Sequence, residues 1–137
     1  MRKILIPGLL AGFAMAVVGM IVGMGLHLIF PSVALEYQNT ALFRPWTDPI
    51  MNIYWACPFI LGLVLAVIWD KVKSVVPGSN FCAKGMYFGS GYFAVTISGI
   101  LINYASFPIS ILMVITWYLA VLAEALTAGA VLAYMNK

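Results

Sequence analysis

The 137 residues are 64% hydrophobic and only 8% charged, with a net charge of +3. A soluble domain is usually about 25% charged, so this composition excludes an ordinary water-soluble fold and favours lipid as the solvent. The basic residues form no run, which argues against nucleic acid as a partner. We therefore expect a single all-α membrane domain over residues 1–137, with the lipid bilayer as its main partner.

Four apolar stretches are long enough to cross a bilayer, which takes about 20 helical residues. The predicted spans cover residues 4–30, 50–69, 85–104 and 109–135, with an outer loop at 31–49 and a cytoplasmic loop at 70–84. The first apolar run continues to Phe30, which favours a retained anchor over a cleaved signal peptide. The sequence thus predicts a four-helix transmembrane bundle.

The basic residues predict the direction of insertion. With four crossings, all but one fall on the same side: Arg2, Lys3, Lys71, Lys73, Lys84 and Lys137. Only Arg44 falls on the other side. Because Lys and Arg collect in cytoplasmic loops, we expect both termini to be cytoplasmic. The short loops favour the cytoplasmic membrane of a prokaryote.

Small residues recur at helical spacing along two spans, and such residues mark close contacts between membrane helices. The predicted packing positions are Gly8, Gly12, Gly19 and Gly23 in span one, and Gly85, Gly89 and Gly99 in span three. The alternating steps of four and three in span three predict left-handed crossings. The alternative is that one of these seams borders a cavity.

A short internal similarity suggests that the chain consists of two related hairpins. The segment GLVLA at 62–66 in span two resembles GAVLA at 129–133 in span four. Such a repeat would relate the hairpins by an axis along the membrane normal. Chance matches are common in apolar sequence, so this stays one of two interpretations.

Glu124 is the one acidic or basic residue well inside a span. Charged groups are costly in lipid, so an intramembrane carboxyl is a candidate functional residue by default. Thr96 and Gly19 fall at a similar depth on other spans. A carboxyl that takes up and releases a proton would suit proton-coupled transport. The alternative is a protonated glutamic acid that is hydrogen-bonded to a neighbouring helix.

Three further polar residues, His27, Asn52 and Asn103, fall near the outer ends of their spans. If spans one to three adjoin, they form one outward-facing polar cluster, and a polar path would run from His27 past Thr96 to Glu124. The alternative is that these side chains only tie helix ends together.

The loop at 31–49 contains Arg44, Trp46 and Asp48 within a proline-rich segment. Arg44 and Asp48 have the spacing of an ion pair, and Trp46 suits the membrane interface. We expect this loop to cover the outer cluster or to dock a partner. The alternative is an interfacial anchor.

The sequence contains no enzyme motif and predicts no cofactor. A single histidine and two well-separated cysteines, Cys57 and Cys82, give no metal-ligand spacing. There is no phosphate-binding loop and no nucleophile elbow. We expect a structural or accessory bundle that associates with itself or with a membrane complex. The alternative is a small proton-coupled transporter or channel that uses Glu124.

The size and the four spans with one membrane glutamate resemble the small multidrug resistance transporters. That family carries its glutamate in the first helix, whereas Glu124 lies in the last span. The resemblance implies a transport role for the carboxyl, but it rests on architecture alone and assigns no family.

Overall fold

The computed structural model describes residues 2–136, and the side chains of residues 3–136. Lys137 and the side chain of Arg2, which entered the charge argument, lie outside this part. The described chain is all-helical: α1 (Arg2–Ile29), α2 (Pro31–Glu36), α3 (Asn52–Val72), α4 (Phe81–Ser106) and α5 (Ile111–Met135). A short 3-10 turn, Pro49–Met51, precedes α3.

Four of these helices, α1, α3, α4 and α5, are long and apolar enough to cross a membrane, which confirms the expected number of candidate spans. α3 extends beyond its predicted span to Val72, and α4 begins before its predicted span, at Phe81. Charged residues are acceptable in a helix that extends beyond the hydrocarbon, so hydropathy alone underestimated the length. The start of α4 is fixed by Asn80, whose side-chain oxygen accepts a hydrogen bond from the Ala83 N–H at 2.9 Å.

The helices pack as two antiparallel hairpins, each joined through glycines. In the α1–α3 hairpin, a Cβ on Gly12 would lie only 2.7 Å from the Pro58 carbonyl oxygen. In the α4–α5 hairpin, a Cβ on Gly85 would lie 2.6 Å from the Gly129 carbonyl oxygen. At such distances the two backbones touch, so only glycine fits.

The hairpins join through α1 and α5, where Ala11, Met15, Ala128 and Leu132 are fully buried. The helix order across the bundle is therefore α3–α1–α5–α4. The outermost helices α3 and α4 approach each other where the rings of Trp69 and Phe88 meet edge to face at 5.2 Å. We call the side of the bundle between α3 and α4 the open side.

The two ends of the bundle differ in composition. The lysine end carries Lys3, Lys71, Lys73 and Lys84, and the loop end carries the connections at 30–51 and 107–110. At the loop end Val33 of α2 is buried in a second core with Ile100, Ile109, Met113 and Val114. The Glu36 carboxylate accepts hydrogen bonds from the Ser110 N–H at 2.7 Å and hydroxyl at 2.6 Å. Much of the predicted outer loop is thus folded onto the bundle.

Two of the glycines expected to allow close packing do not do so. A Cβ on Gly23 or Gly99 would meet nothing within 4 Å. The α4 contact face passes instead from Gly89 to Ile100, which is buried at the loop end. An α-helix drifts relative to a strict heptad, so Gly99 lies outside the close backbone contact with α5.

Candidate functional site

Glu124 lies near the middle of α5 and is half-buried. Its carboxyl group rests against Gly19 of α1, where an added Cβ would overlap Oε1. Glycine at position 19 therefore makes the room that the carboxyl occupies. No side chain among residues 3–136 gives Glu124 a hydrogen bond.

Two tyrosines face this carboxyl from opposite helices. Tyr54 of α3 and Tyr92 of α4 both lie within electrostatic range of Glu124. α3 packs beside α1, and α4 packs beside α5. Because each of these outer helices brings a tyrosine near Glu124, we place the carboxyl on the open side of the bundle. We refer to Glu124, Gly19, Tyr54 and Tyr92 as the Glu124 site.

Proline 58 adds a polar backbone atom near Tyr54. Pro58 lies inside α3 and has no N–H, so the Tyr54 carbonyl oxygen lacks its intrahelical donor four residues on. This carbonyl is one turn of α3 away from the proline that removes its donor.

An aromatic cluster covers the loop end of the bundle above this site. The indole N–H of Trp117 on α5 donates a hydrogen bond to the Tyr37 hydroxyl. The Tyr37 ring also meets the His27 ring at 5.2 Å and the Phe43 ring at 5.1 Å. Burial raises the pKa of the Tyr37 hydroxyl, and the Trp117 hydrogen bond opposes that shift. Tyr37 thus remains a neutral donor at physiological pH.

Tyr37 connects this cluster to the Glu124 site. Its hydroxyl is within electrostatic range of Tyr54, which in turn is within range of Glu124. Since Tyr37 also contacts the His27 ring, Tyr37 and Tyr54 are the candidate polar groups between His27 and Glu124. The hydroxyl of Thr96, the expected intermediate, donates a hydrogen bond to the Phe93 carbonyl oxygen of its own helix at 2.7 Å. Its hydrogen atom is therefore not available to Glu124.

The loop residues Arg44, Trp46 and Asp48 lie close to the start of α3. The expected ion pair is present, with Arg44 Nη1 2.9 Å from Asp48 Oδ2. Asp48 Oδ1 accepts a hydrogen bond from the Ile50 N–H at 2.9 Å. These two donors, the Ile50 N–H first, hold the pKa of the exposed Asp48 carboxyl below its usual value.

Trp46 brings this loop to the Glu124 site. Its ring packs edge to face against Tyr54 at 5.3 Å, and it also approaches Trp55 at 6.3 Å. Tyr54 therefore stands between the loop and the intramembrane carboxyl.

The expected outer cluster of His27, Asn52 and Asn103 is not assembled. Asn52 is exposed at the start of α3, and His27 contacts Tyr37. Asn103 lines a pocket of about 200 Å³ with Phe43 and Trp117. The cluster required spans one, two and three to adjoin, but α4 packs mainly against α5 and approaches α3 where Trp69 meets Phe88, toward the lysine end. The distribution of glycines among the helices decided this order.

Four residues of these two sites were not singled out from sequence as functional candidates: Tyr37, Tyr54, Tyr92 and Trp117. Their signal was present as aromatic residues with a polar tip, positioned near a span end or on a small-residue face. Such residues are common in membrane proteins as interfacial anchors, so the pattern alone does not select them.

Within the part of the chain that the structure describes, no three His, Cys, Asp or Glu residues are grouped as metal ligands. Cys57 and Cys82 are both exposed and unbonded to each other.

The fold and the site together define a small α-helical membrane protein with four candidate spans and one intramembrane carboxyl. Comparison with known protein families, with curated proteins and with solved structures finds no match.

Proposed function

We propose that this chain is a small membrane transporter or channel in which Glu124 binds and releases a proton or a cation. The observation that carries the proposal is the unpartnered, half-buried carboxyl near the middle of α5. A carboxyl kept inside a span for packing alone is expected to bond to a neighbouring helix, because an unsatisfied polar group in hydrocarbon is costly. Glu124 makes no such bond within the described residues.

The surroundings of Glu124 support exchange with the loop end. Tyr54 and Tyr92 supply hydroxyls that can donate to a carboxylate or accept from a carboxylic acid. Tyr54 and Tyr37 lead toward His27, whose imidazole can both donate and accept a hydrogen bond. A proton or a small cation passing between the loop end and Glu124 would meet these groups in order.

The test is the substitution Glu124→Gln in protein reconstituted into vesicles that contain a pH-sensitive dye. Gln keeps the shape of the side chain but cannot ionise, so proton flux under an imposed potassium diffusion potential should fall by at least about tenfold. The matched control is Thr127→Val on the same helix, because the Thr127 hydroxyl only bonds its own helix at the Ala123 carbonyl. The control should retain wild-type flux, and equal flux in Glu124→Gln and wild type would overturn the proposal.

A second candidate is a structural or accessory protein that associates with itself or with a membrane complex. The observation that favours it is the open side, where α3 and α4 each pack mainly against one helix. A second copy or another membrane protein placed there would complete the ring of helices and give Glu124 a partner. In this case the carboxyl is an assembly contact and carries no flux.

A further inference from the structure

A pocket at the lysine end of the bundle lies outside the Glu124 site. It has a volume of about 420 Å³ and lies where α3 ends, α4 begins and α5 ends. Five of its lining residues carry N–H donors: Trp69, Lys73, Asn80, Lys84 and Asn136. Aspartate and glutamate are absent from this lining, so the pocket favours an anionic ligand.

The charge of the pocket comes chiefly from Lys84. Lys73 is neutralised by Asp70, at 2.8 Å. The Lys84 ammonium contacts the Lys73 carbonyl oxygen at 3.5 Å, and no carboxylate among residues 3–136 pairs with it. An ammonium at this position retains most of its capacity to bind an anion.

The asparagines present further donors. The Asn80 side-chain oxygen accepts a hydrogen bond from the Ala83 N–H at 2.9 Å, which leaves its NH₂ group as a donor. Asn136 uses one amide hydrogen on the Leu132 carbonyl at 3.2 Å and retains the other.

Trp69 forms part of the pocket wall and is only 2% exposed. Its indole N–H is buried without a hydrogen-bond acceptor in the described structure. Because this nitrogen has almost no accessible surface, it does not open into the pocket, and the donors that a ligand meets are those of the lysine and the asparagines.

We propose that the lysine-end pocket binds a phosphate group of an anionic ligand, with Lys84 as its counter-charge. The phosphate oxygens accept hydrogen bonds from the Lys84 ammonium and from the asparagine NH₂ groups of the lining. The pocket lies at the end of the spanning helices, the level at which basic pockets hold lipid head groups. A soluble phosphate ester presents the same chemistry.

The test is native mass spectrometry of the full chain in detergent, titrated separately with phosphatidylglycerol, phosphatidylcholine and inorganic phosphate. Phosphatidylglycerol should bind the wild type. Lys84→Gln should weaken that binding about tenfold, since it removes the counter-charge and one donor to the phosphate. The control is Lys71→Gln, an exposed lysine at the same end that does not line the pocket.

The lipid source is supported when phosphatidylglycerol binds in a Lys84-dependent manner and inorganic phosphate does not displace it. A soluble source is supported when inorganic phosphate itself binds with the same dependence. The proposal is overturned if Lys71→Gln weakens binding as much as Lys84→Gln does. It is also overturned if neither phosphatidylglycerol nor inorganic phosphate binds. Because Lys84 is at the surface end of α4, its variant separates loss of binding from loss of folding.

Discussion

Glycine at a few positions sets how closely these helices approach. A Cβ added on Gly62 would meet the Gly8 carbonyl oxygen and would lie 2.6 Å from the Gly12 nitrogen. Gly129 meets Gly85 and Gly89 in the same way, with the Gly89 nitrogen 2.9 Å from an added Cβ. These neighbours are backbone atoms, which cannot rotate away as a side chain can.

We predict that Gly129→Ala destabilises the protein by about 1–3 kcal/mol, because a methyl group would force α4 and α5 apart. Gly91→Ala is the matched control on α4, since a Cβ there meets nothing within 4 Å. Alanine favours a helix over glycine by up to about 1 kcal/mol, so the control should be neutral or stabilising. Thermal unfolding in detergent measures both, and equal effects would contradict the glycine contact.

The two hairpins are built by the same rule at the scale of the helices. In each, a pair of glycines four residues apart on the first helix faces one glycine on the second: Gly8 and Gly12 against Gly62, and Gly85 and Gly89 against Gly129. Gly62 and Gly129 begin the two similar segments GLVLA and GAVLA. The structural equivalence of these positions favours duplication over a chance match.

The connection between α2 and α3 depends on Asp48, which caps the 3-10 turn Pro49–Met51 and pairs with Arg44. Its pKa is lower in the folded protein than in an unfolded chain. The stabilisation is therefore present above the unfolded value, about pH 4, and is lost as the pH falls through the folded pKa.

We accordingly predict that the segment around Ile50 loses hydrogen-exchange protection as the pH falls below about 4. Asp48→Asn should abolish this pH dependence after correction for intrinsic exchange, because asparagine can still accept the Ile50 N–H but does not titrate. A variant as pH-sensitive as the wild type would show that another group controls the turn.

The whole molecule is an incomplete ring, closed between α1 and α5 and open between α3 and α4. Tyr92 and Gly99 are seven residues apart on α4 and so share a face. Phe88, which meets Trp69 of α3 on the open side, lies about three helical turns before Gly99, which places Gly99 on the same side. There Gly99 is exposed, with room for a neighbour.

If the second candidate function is correct, the protein is a dimer or larger assembly in lipid, and Gly99→Leu should reduce its association. The matched control is Ser90→Leu, an exposed position about half a turn from Gly99 around the same helix, which should associate as the wild type does. Counting subunits in nanodiscs by single-molecule photobleaching measures both. A wild type that is monomeric at all protein-to-lipid ratios would exclude self-association.

Composition and hydropathy by themselves determined the membrane environment, the number of spans and the position of the intramembrane carboxyl. These follow from single residues or local windows, because the cost of exposing a polar group to lipid depends on each group alone. The Arg44–Asp48 ion pair could be predicted from the sequence for the same reason, since its partners are four residues apart.

Only the tertiary structure decided which helices are neighbours. The glycine stripes of α1 and α4 looked equally suited to packing along their length, yet Gly23 and Gly99 remain open. The His27 ring therefore meets Tyr37 instead of Asn52 or Asn103, and the lysine-end pocket forms where three helix ends converge. Helix order depends on the summed fit of many weak contacts between distant segments, and no local pattern in the chain encodes that sum.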